Sequence, residues 1–267
     1  MNIIEARGVT KTYRSGGFFS RAKRVPVLKG VNLAVAEGTC VGLVGRSGSG
    51  KSTLGRIMLG LEAPTGGEAH ILNRPTVSGN RMQIDREQRR AVQVVFQDAV
   101  SSLNPRLTAK NIIAEPLRNF ERLCGSALGE RVAELLNQVG LQREDAGKHP
   151  SQFSGGQLQR ISIARALAAR PRCIILDEAV SSLDMLVQAK ILDLLDDLRS
   201  EERVAYLFIT HDLRLVKRFC DHAVAMEKGV LVEFDHRQYR KAQMTGSLGE
   251  LAAAMLSAVP QTRGNAC

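Results

Sequence analysis

The chain has 267 residues, of which 44% are hydrophobic and 24% charged, and its formal net charge is +10. This is enough chain to bury a full core in one large domain, with or without a smaller subdomain, and it excludes a short peptide-like binder. No apolar run reaches the roughly 18 to 20 residues that cross a bilayer, and residues 1–9 alternate like a strand instead of forming a signal peptide. The sequence therefore predicts a protein that is made and kept in the cytosol.

The basic residues are spread along the chain, so a solvated basic surface, docking to an anionic membrane or partner, and nucleic-acid binding all remain open. The cysteines number five and include no CxxC pair. Because this spacing lacks the ligand pattern of a zinc site, we expect small reduced thiols and neither disulfides nor a metal centre.

The hydrophobic pattern alternates between strands and helices in chain order. The helical segments 112–120 and 129–139 lie in a block, residues 98–152, where no strand is predicted. Such a pattern is typical of a mostly parallel sheet covered by helices, here with a helical insertion. We predict strands at 3–9, 27–35, 40–44, 68–72, 91–96, 173–176 and 204–209, a loop at 15–25, and helices at 54–61, 86–90, 158–169 and 188–199.

A glycine-rich loop joins the predicted strand 40–44 to the helix that follows it. Glycines let consecutive backbone N–H groups turn inward, and the helix N-terminus adds a partial positive charge, so the loop can cradle phosphate. In such a loop Lys51 reaches the outer phosphates and the Ser52 hydroxyl ligates Mg²⁺. The sequence therefore predicts a nucleoside triphosphate site. The loop consists of Gly45, Arg46, Ser47, Gly48, Ser49, Gly50, Lys51, Ser52 and Thr53.

Polar side chains follow three other predicted strands, namely Gln97, the pair Asp177 and Glu178, and His211. The carboxyl ends of parallel strands meet in one crevice, so these groups can converge on one nucleotide. We expect Asp177 to hold Mg²⁺ opposite Ser52 and Glu178 to polarise a water in line with the γ-phosphate. A lone Asp-Glu pair would more often cap a helix, but the phosphate loop in the same chain favours catalysis.

In order and spacing, these residues resemble the ATP-binding cassette of ABC transporters from about residue 3 to residue 232. The resemblance implies an α/β P-loop NTPase fold, with a mostly parallel sheet core, an antiparallel β part and an α-helical subdomain at 98–152. The cassette would span residues 1–235 and leave 236–267 as a tail of unknown role. Residues 45–52 resemble the Walker A loop, Gln97 the Q-loop, residues 174–178 the Walker B strand with its glutamate, and His211 the switch histidine.

The resemblance adds residues that spacing alone does not assign. It implies that Tyr13 stacks on adenine, and that two cassettes dimerise head to tail so that each signature motif closes on ATP held by the other. The start of a helix at Ser154 suits this role because it forms a second phosphate-facing N-terminus. Phe153 stands where leucine is usual in the family. The signature motif consists of Ser154, Gly155, Gly156 and Gln157, and the D-loop of Ser182, Leu183 and Asp184.

The resemblance thus implies a complete set of site residues. Catalysis would rest on Glu178, His211 and Gln97. Mg²⁺ would be held by Ser52, Gln97 and Asp177. ATP would contact Tyr13, residues 45–53, the signature motif and Asp184.

A narrower resemblance points to the branch of the family that imports peptides and nickel. It rests on Phe96, Gln97 and Asp98 together with residues 101–106 and 16–19. Residues 45–48, 177–181, 186–189 and 208–216 are most similar to nickel-importing ATPase subunits, and the cysteine-containing extension of many peptide-importer cassettes is absent. ATP hydrolysis coupled to Ni²⁺ uptake is therefore expected, with a peptide or metal-chelate importer as the alternative and a soluble ABC ATPase acting on nucleic acid as a remote one.

The same resemblance implies the partners. The sequence itself leaves open whether a second ABC ATPase subunit is a copy of this chain or a paralogue, and the resemblance implies a paralogue. It also implies two transmembrane permease subunits and an extracytoplasmic substrate-binding protein, but no nucleic acid. The chain would lie peripherally on the cytoplasmic face of the bacterial inner membrane.

Residues 248–259 also have the pattern of a short amphipathic helix that packs on the core.

Overall fold

The computed structural model describes residues 1–15, 23–78, 81–181 and 183–233. Its strands are β1 (Asn2–Ser15), β2 (Lys23–Ala36), β3 (Cys40–Val44), β4 (Gly66–Ile71), β5 (Arg74–Pro75), β6 (Val77–Ser78), β7 (Arg81–Met82), β8 (Val92–Val95), β9 (Cys173–Asp177), β10 (Ala205–Ile209), β11 (His222–Glu227) and β12 (Val230–Glu233). Its helices are α1 (Lys51–Met58), α2 (Arg86–Ala91), α3 (Ala99–Ser102), α4 (Ala109–Pro116), α5 (Gly125–Gln138), α6 (Gly155–Ala168), α7 (Met185–Glu202) and α8 (Leu213–Phe219). A π-helical turn (Leu117–Glu121) continues α4, and two 3₁₀ turns (Arg143–Gly147 and Pro150–Gln152) precede α6.

A six-stranded sheet with the order β12-β11-β3-β10-β9-β8 forms the centre of the fold. All neighbouring strands in it are parallel except β12, which pairs antiparallel with β11 at one edge. The strands β3 and β10 are buried along their whole length, which explains why they consist of continuous apolar runs. Strand β10 lies between β3 and β9, so the segments that follow these strands emerge side by side.

Alternate side chains of the central strands enter two separate cores. In β9, Ile174 and Leu176 pack with the helical layer, whereas Cys173 and Ile175 pack on the other face. This follows from the twofold repeat of a strand, whose successive side chains point to opposite faces. The second face is covered by α1 and by a four-stranded antiparallel sheet with the order β2-β1-β4-β5.

The helical layer is built around α6, which packs against α3, α4, α5 and β8. Buried side chains such as Ile113, Leu135 and Ile161 join these helices into one core. Helices α3, α4 and α5 all lie within residues 98–152. Together with the mostly parallel sheet and the antiparallel part, they agree with the predicted fold class.

Several element boundaries differ from those predicted. The first strand was predicted to end at Val9, and a loop was predicted over 15–25, but β1 continues to Ser15 and β2 begins at Lys23. The two strands pair antiparallel through several register shifts, and these shifts break the simple polar-apolar alternation on which the prediction rested. Residues 16–19, Ser182 and the predicted helix at 248–259 lie outside the described residues.

Candidate functional site

The loop between β3 and α1 surrounds the ammonium group of Lys51. Its Nζ atom donates hydrogen bonds to the carbonyl oxygens of Gly45 at 2.7 Å and Arg46 at 3.0 Å, and the residue is 6% exposed. Burial lowers the pKa of Lys51, while the carboxylates of Glu178 and Asp177 act in the opposite direction. The positive charge of Lys51 thus lies inside the loop, where it would attract an anionic ligand.

Two glycines of this loop are required by its geometry. A Cβ atom on Gly45 would lie 2.4 Å from the carbonyl oxygen of Met226 in β11. Gly50, which precedes α1, has a φ of +113°, and a Cβ atom there would lie 3.1 Å from the Val27 oxygen. Larger residues would therefore move the loop away from β2 and β11.

Ser49 offers a donor that the described part of the chain leaves unpaired. Its hydroxyl is buried and has no hydrogen-bond partner among the described residues. An unsatisfied buried hydroxyl costs about 1–3 kcal/mol, so it marks a position where a bound group would restore a hydrogen bond. Together with Lys51 it makes the loop suited to a phosphate oxygen.

Ser52 and Asp177 meet across the gap between α1 and β9. The Ser52 Oγ atom lies 3.4 Å from Asp177 Oδ1. Burial raises the pKa of Asp177, and the hydrogen bond from Ser52 partly offsets this effect. Hydroxyl and carboxylate oxygens are ligands that Mg²⁺ prefers, so the donor set of this pair fits that ion.

Glu178 and His211 follow the adjacent strands β9 and β10. The Glu178 N–H donates to the Ile209 carbonyl at 2.9 Å, and His211 Nδ1 lies 3.4 Å from Glu178 Oε1. Glu178 has a φ of +50°, a left-handed backbone conformation that costs a residue with a side chain about 1–2 kcal/mol. Such strain is kept where the surroundings fix it, often at functional sites.

Gln97 lies just beyond β8, at the mouth of a cavity of about 400 Å³. The cavity lies between the end of β8, α3 and α6. Its lining includes Gln97, Asp98, Ser101, Ser162, Arg165 and Asp177. The segment that contains Gln97 therefore shares this cavity with Asp177.

Ser154 caps the N-terminus of α6 through a reciprocal pair of hydrogen bonds. Its Oγ accepts from the Gln157 N–H at 3.3 Å, and Gln157 Oε1 accepts from the Ser154 N–H at 2.9 Å. Both Ser154 and Gly155 are exposed. Helix α6 packs on α3, α4 and α5, whereas α1 packs on β1, β2 and β4. The signature motif and the phosphate loop thus belong to different layers of the fold.

The residues that resemble the D-loop lie beside the signature motif. A Cβ atom on Gly156 would lie 3.5 Å from Leu183 Cδ2. Asp184 caps α7 by accepting a hydrogen bond from the Val187 N–H at 2.9 Å. The turn before α7 and the start of α6 therefore form one continuous patch.

Tyr13 lies near the phosphate-loop helix. Its hydroxyl is within hydrogen-bonding reach of Glu62 and Thr53, and burial, followed by the bond with Glu62, raises the pKa of Tyr13. Lys11 Nζ lies 5.2 Å from the centre of the Tyr13 ring and 2.9 Å from Glu62 Oε1. The position suits an aromatic residue at the rim of the phosphate loop, and stacking on adenine stays a prediction.

The sequence analysis missed Gln159, a buried polar residue on α6. Its Nε2 atom donates a hydrogen bond to the Phe96 carbonyl at 3.0 Å. The available signal was a glutamine within a helix whose neighbours Leu158 and Ile161 are apolar and buried. Nothing in that pattern identifies the partner, which is 63 residues away.

Two kinds of feature are absent from the described ranges. Residues 1–15, 23–78, 81–181 and 183–233 contain no group of three or more His, Cys, Asp or Glu side chains arranged to hold a metal ion. No helix in these ranges combines the length and hydropathy of a membrane span.

Comparison with known proteins identifies the family. A family model described as "ABC transporter" matches residues 28–181, more than half of the chain. The chain belongs to the ABC transporter family. The resemblance on which the sequence analysis relied is thus confirmed, and so is the fold class.

Curated relatives and solved structures match most of the chain. The "Nickel import ATP-binding protein NikE" of Rhodospirillum rubrum is 48% identical over 231 residues, covering 86% of this chain and 83% of the relative. The protein of the same name from Escherichia coli is 44% identical over 233 residues, 87% of each chain. The ATP-binding cassette MJ0796, solved as a dimer in a post-hydrolysis state bound to ADP and Pi, superposes with a TM-score of 0.77 at 36% identity, covering 85% of this chain and 96% of that chain.

Proposed function

We propose that this chain is the ATPase subunit of an importer that takes up Ni²⁺ through separate membrane subunits. The observation that carries the ATPase assignment is the convergence of Lys51, Ser52, Asp177 and Glu178 at the ends of β3 and β9. The cargo assignment rests on relatives at 44–48% identity that are named for nickel import and share nearly the full length. No metal cluster is needed for it, because this subunit binds nucleotide and the cargo passes through others.

ATP binding is assigned to the loop of residues 45–53, whose amides and Lys51 would hold the phosphates. Tyr13 would stack on the adenine. Ser52, Asp177 and Gln97 would hold Mg²⁺, which when bound supplies positive charge against the negative charge of the phosphates. The Ser49 hydroxyl, which is buried and has no hydrogen-bond partner among the described residues, is an observation that supports ligand binding at this loop.

Hydrolysis is assigned to Glu178, with His211 and Gln97 as the other catalytic residues. Glu178 accepts a proton from water as the water oxygen bonds to the γ-phosphorus, and the bond from that phosphorus to the bridging oxygen breaks, giving ADP and phosphate. His211, 3.4 Å from Glu178, positions this carboxylate. The local strain at Glu178 supports a fixed orientation for it.

A second cassette is expected to complete the site. Because the signature motif lies in a different layer from the phosphate loop of its own chain, the motif and Asp184 would face ATP held by a partner, which we propose to be a paralogue in a head-to-tail dimer. The cassette would comprise residues 1–235, with the helical subdomain 98–152 docking on two permease subunits. A substrate-binding protein outside the membrane would deliver Ni²⁺, and this chain would lie on the cytoplasmic face of the inner membrane.

The cargo is tested by uptake of radioactive nickel in cells that lack the gene. We expect uptake under nickel limitation to be lost on deletion and to return with the wild-type chain, but not with Glu178→Gln. Uptake that persists after deletion would rule out nickel as the cargo. In that case, import of peptides or metal chelates becomes the first function to measure.

The catalytic assignment is tested with Mg-ATP and the purified chain in the presence of the paralogous cassette that we propose as its partner. Glu178→Gln should retain ATP binding, because the side chain keeps its size, but lose nearly all turnover and accumulate as an ATP-bound dimer. Glu144→Gln, a change at an exposed acid in the helical block, is the matched control and should leave turnover unaffected. Turnover of Glu178→Gln near the wild-type rate would show that another group is the base.

A further inference from the structure

Gln159 joins the signature helix to the backbone that leads to Gln97. The side chain is 1% exposed, and its Nε2 donates to the Phe96 carbonyl at 3.0 Å. The last residue pair between β8 and β9 is Val95 with Leu176, so the Phe96 carbonyl lies beyond the end of that ladder. Gln159 therefore gives this carbonyl a hydrogen-bond donor at a point where the neighbouring strand no longer provides one.

The same helix connects three parts of the cassette. Its N-terminus is the signature motif, and Gln159 lies in its second turn. Ser162 and Arg165, three and six residues further along, line the cavity that also contains Gln97. Arg165 also forms an ion pair with Glu115 of α4 at 3.2 Å. Because the hydrogen bonds of a helix make its 14 residues move together, a displacement of the N-terminus is carried to this cavity.

We propose that Gln159 is a positioning residue for ATP hydrolysis. It fixes the orientation of the peptide between Phe96 and Gln97, so that engagement of the signature motif by a second cassette is transmitted to Gln97. This inference rests on the proposed ATPase function and assigns a role within it. Removing the Gln159 donor deprives the Phe96 carbonyl of this hydrogen bond and allows the 96–97 peptide to rotate away.

The sequence allows a direct test, because Phe96-Gln97 is the only Phe-Gln peptide in the chain. Full-length protein labelled with ¹³C at phenylalanine carbonyls and ¹⁵N at glutamine amides therefore gives one Phe-Gln cross-peak. Gln159→Met has nearly the same length but no N–H, and it should shift the Phe96 carbonyl resonance upfield. Gln88→Met is the matched control, because Gln88 is also buried and donates to other backbone carbonyls, those of Ile71 and Arg74, and it should leave the resonance in place. An unchanged resonance in Gln159→Met overturns the inference.

Comparison of kcat with the Kd for ATP distinguishes a positioning role of Gln159 from a purely structural one. In Gln159→Met we expect the Kd for ATP to stay within about twofold of wild type, since the phosphate loop lies elsewhere, and kcat to fall about tenfold or more because Gln97 is misplaced. Gln88→Met should keep both values. Unchanged kcat in Gln159→Met overturns the inference, and so does a loss of ATP binding equal to the loss of kcat.

One measurement leaves Gln159 unmutated and covers the case in which Gln159→Met does not fold. When the partner cassette is added to the labelled Glu178→Gln chain already saturated with Mg-ATP, the Phe96-Gln97 cross-peak should shift as the dimer forms, and a cross-peak that does not move overturns the inference. The two proposals also fail differently. If the wild-type chain together with its partner cassette does not hydrolyse Mg-ATP, the proposed function fails; if wild type and Gln159→Met hydrolyse it equally in that complex, only the role of Gln159 fails.

Discussion

At the residue scale, Asp177 illustrates a conflict between stability and function. Burial raises its pKa, so the native chain binds a proton here more tightly than the unfolded chain does. By linkage, this group's contribution to the free energy of unfolding increases as pH falls through the raised pKa, and the ionised form costs stability at neutral pH. Asp177→Asn should therefore raise the free energy of unfolding at pH 7 by about 0.5–2 kcal/mol, while abolishing Mg-dependent hydrolysis.

Urea unfolding without nucleotide measures the first effect, and phosphate release measures the second. Asp197→Asn, at an exposed position on α7, is the control and should change neither quantity. A lower urea midpoint for Asp177→Asn than for wild type would mean that the hydrogen bond between Asp177 and Ser52 outweighs the cost of burying the charge of Asp177.

The same scale shows what the sequence could predict about the site. Glu178 and His211 could be found because each follows an apolar run, and parallel strands bring such positions to one sheet edge. Gln159 could not be found in this way, since its partner is a backbone carbonyl 63 residues away and carries no side-chain signature. Ser49 was named as part of the loop, but its lack of a partner is visible only when the surrounding atoms are placed.

At the element scale, the cap of α6 has two roles that substitution can separate. Ser154→Ala removes the capping hydrogen bond and should lower the free energy of unfolding by about 1 kcal/mol. Ser154→Asp keeps a good cap but places a carboxylate where the phosphate of a partner's ATP would lie. It should therefore retain stability, retain ATP binding by the monomer, and lose hydrolysis.

Denaturation curves and ATPase rates of both variants decide between these roles. If Ser154→Asp hydrolyses ATP at the wild-type rate, the start of α6 does not face phosphate. Thr108→Ala removes the corresponding cap from α4, in which the Thr108 hydroxyl oxygen accepts a hydrogen bond from the Asn111 N–H at 3.4 Å. It is the control for loss of a cap away from the signature motif.

Caps also explain where element prediction was inaccurate. The apolar pattern predicted that α6 begins at Leu158 and α7 at Gln188, whereas the helices begin at Gly155 and Met185. Ser154 and Asp184 set these starts through side-chain hydrogen bonds, so each helix begins three residues before its predicted start. The cores of both helices were predictable because they are determined by burial.

At the scale of the whole molecule, the fold places two adjacent exposed apolar side chains near the signature motif. Met185 and Leu186 begin α7 and are 83% and 68% exposed. They follow Asp184, and Leu183 packs near Gly156. Two adjacent large apolar side chains at such exposure are costly in a monomer and become favourable when a partner covers them.

Leu186→Glu should therefore weaken the ATP-dependent dimer. In the Glu178→Gln background, with the partner cassette and Mg-ATP present, we expect sedimentation to show that the dimer dissociates at a higher protein concentration when Leu186 is changed, because a carboxylate would be buried in the interface. Binding of a fluorescent ATP analogue by the monomer should not change, since Leu186 lies outside the phosphate loop. Val230→Glu, an equally drastic change at an exposed position on edge strand β12, should leave the dimer intact. Equal dimer strength in Leu186→Glu and its parent would place the partner on another face of the cassette.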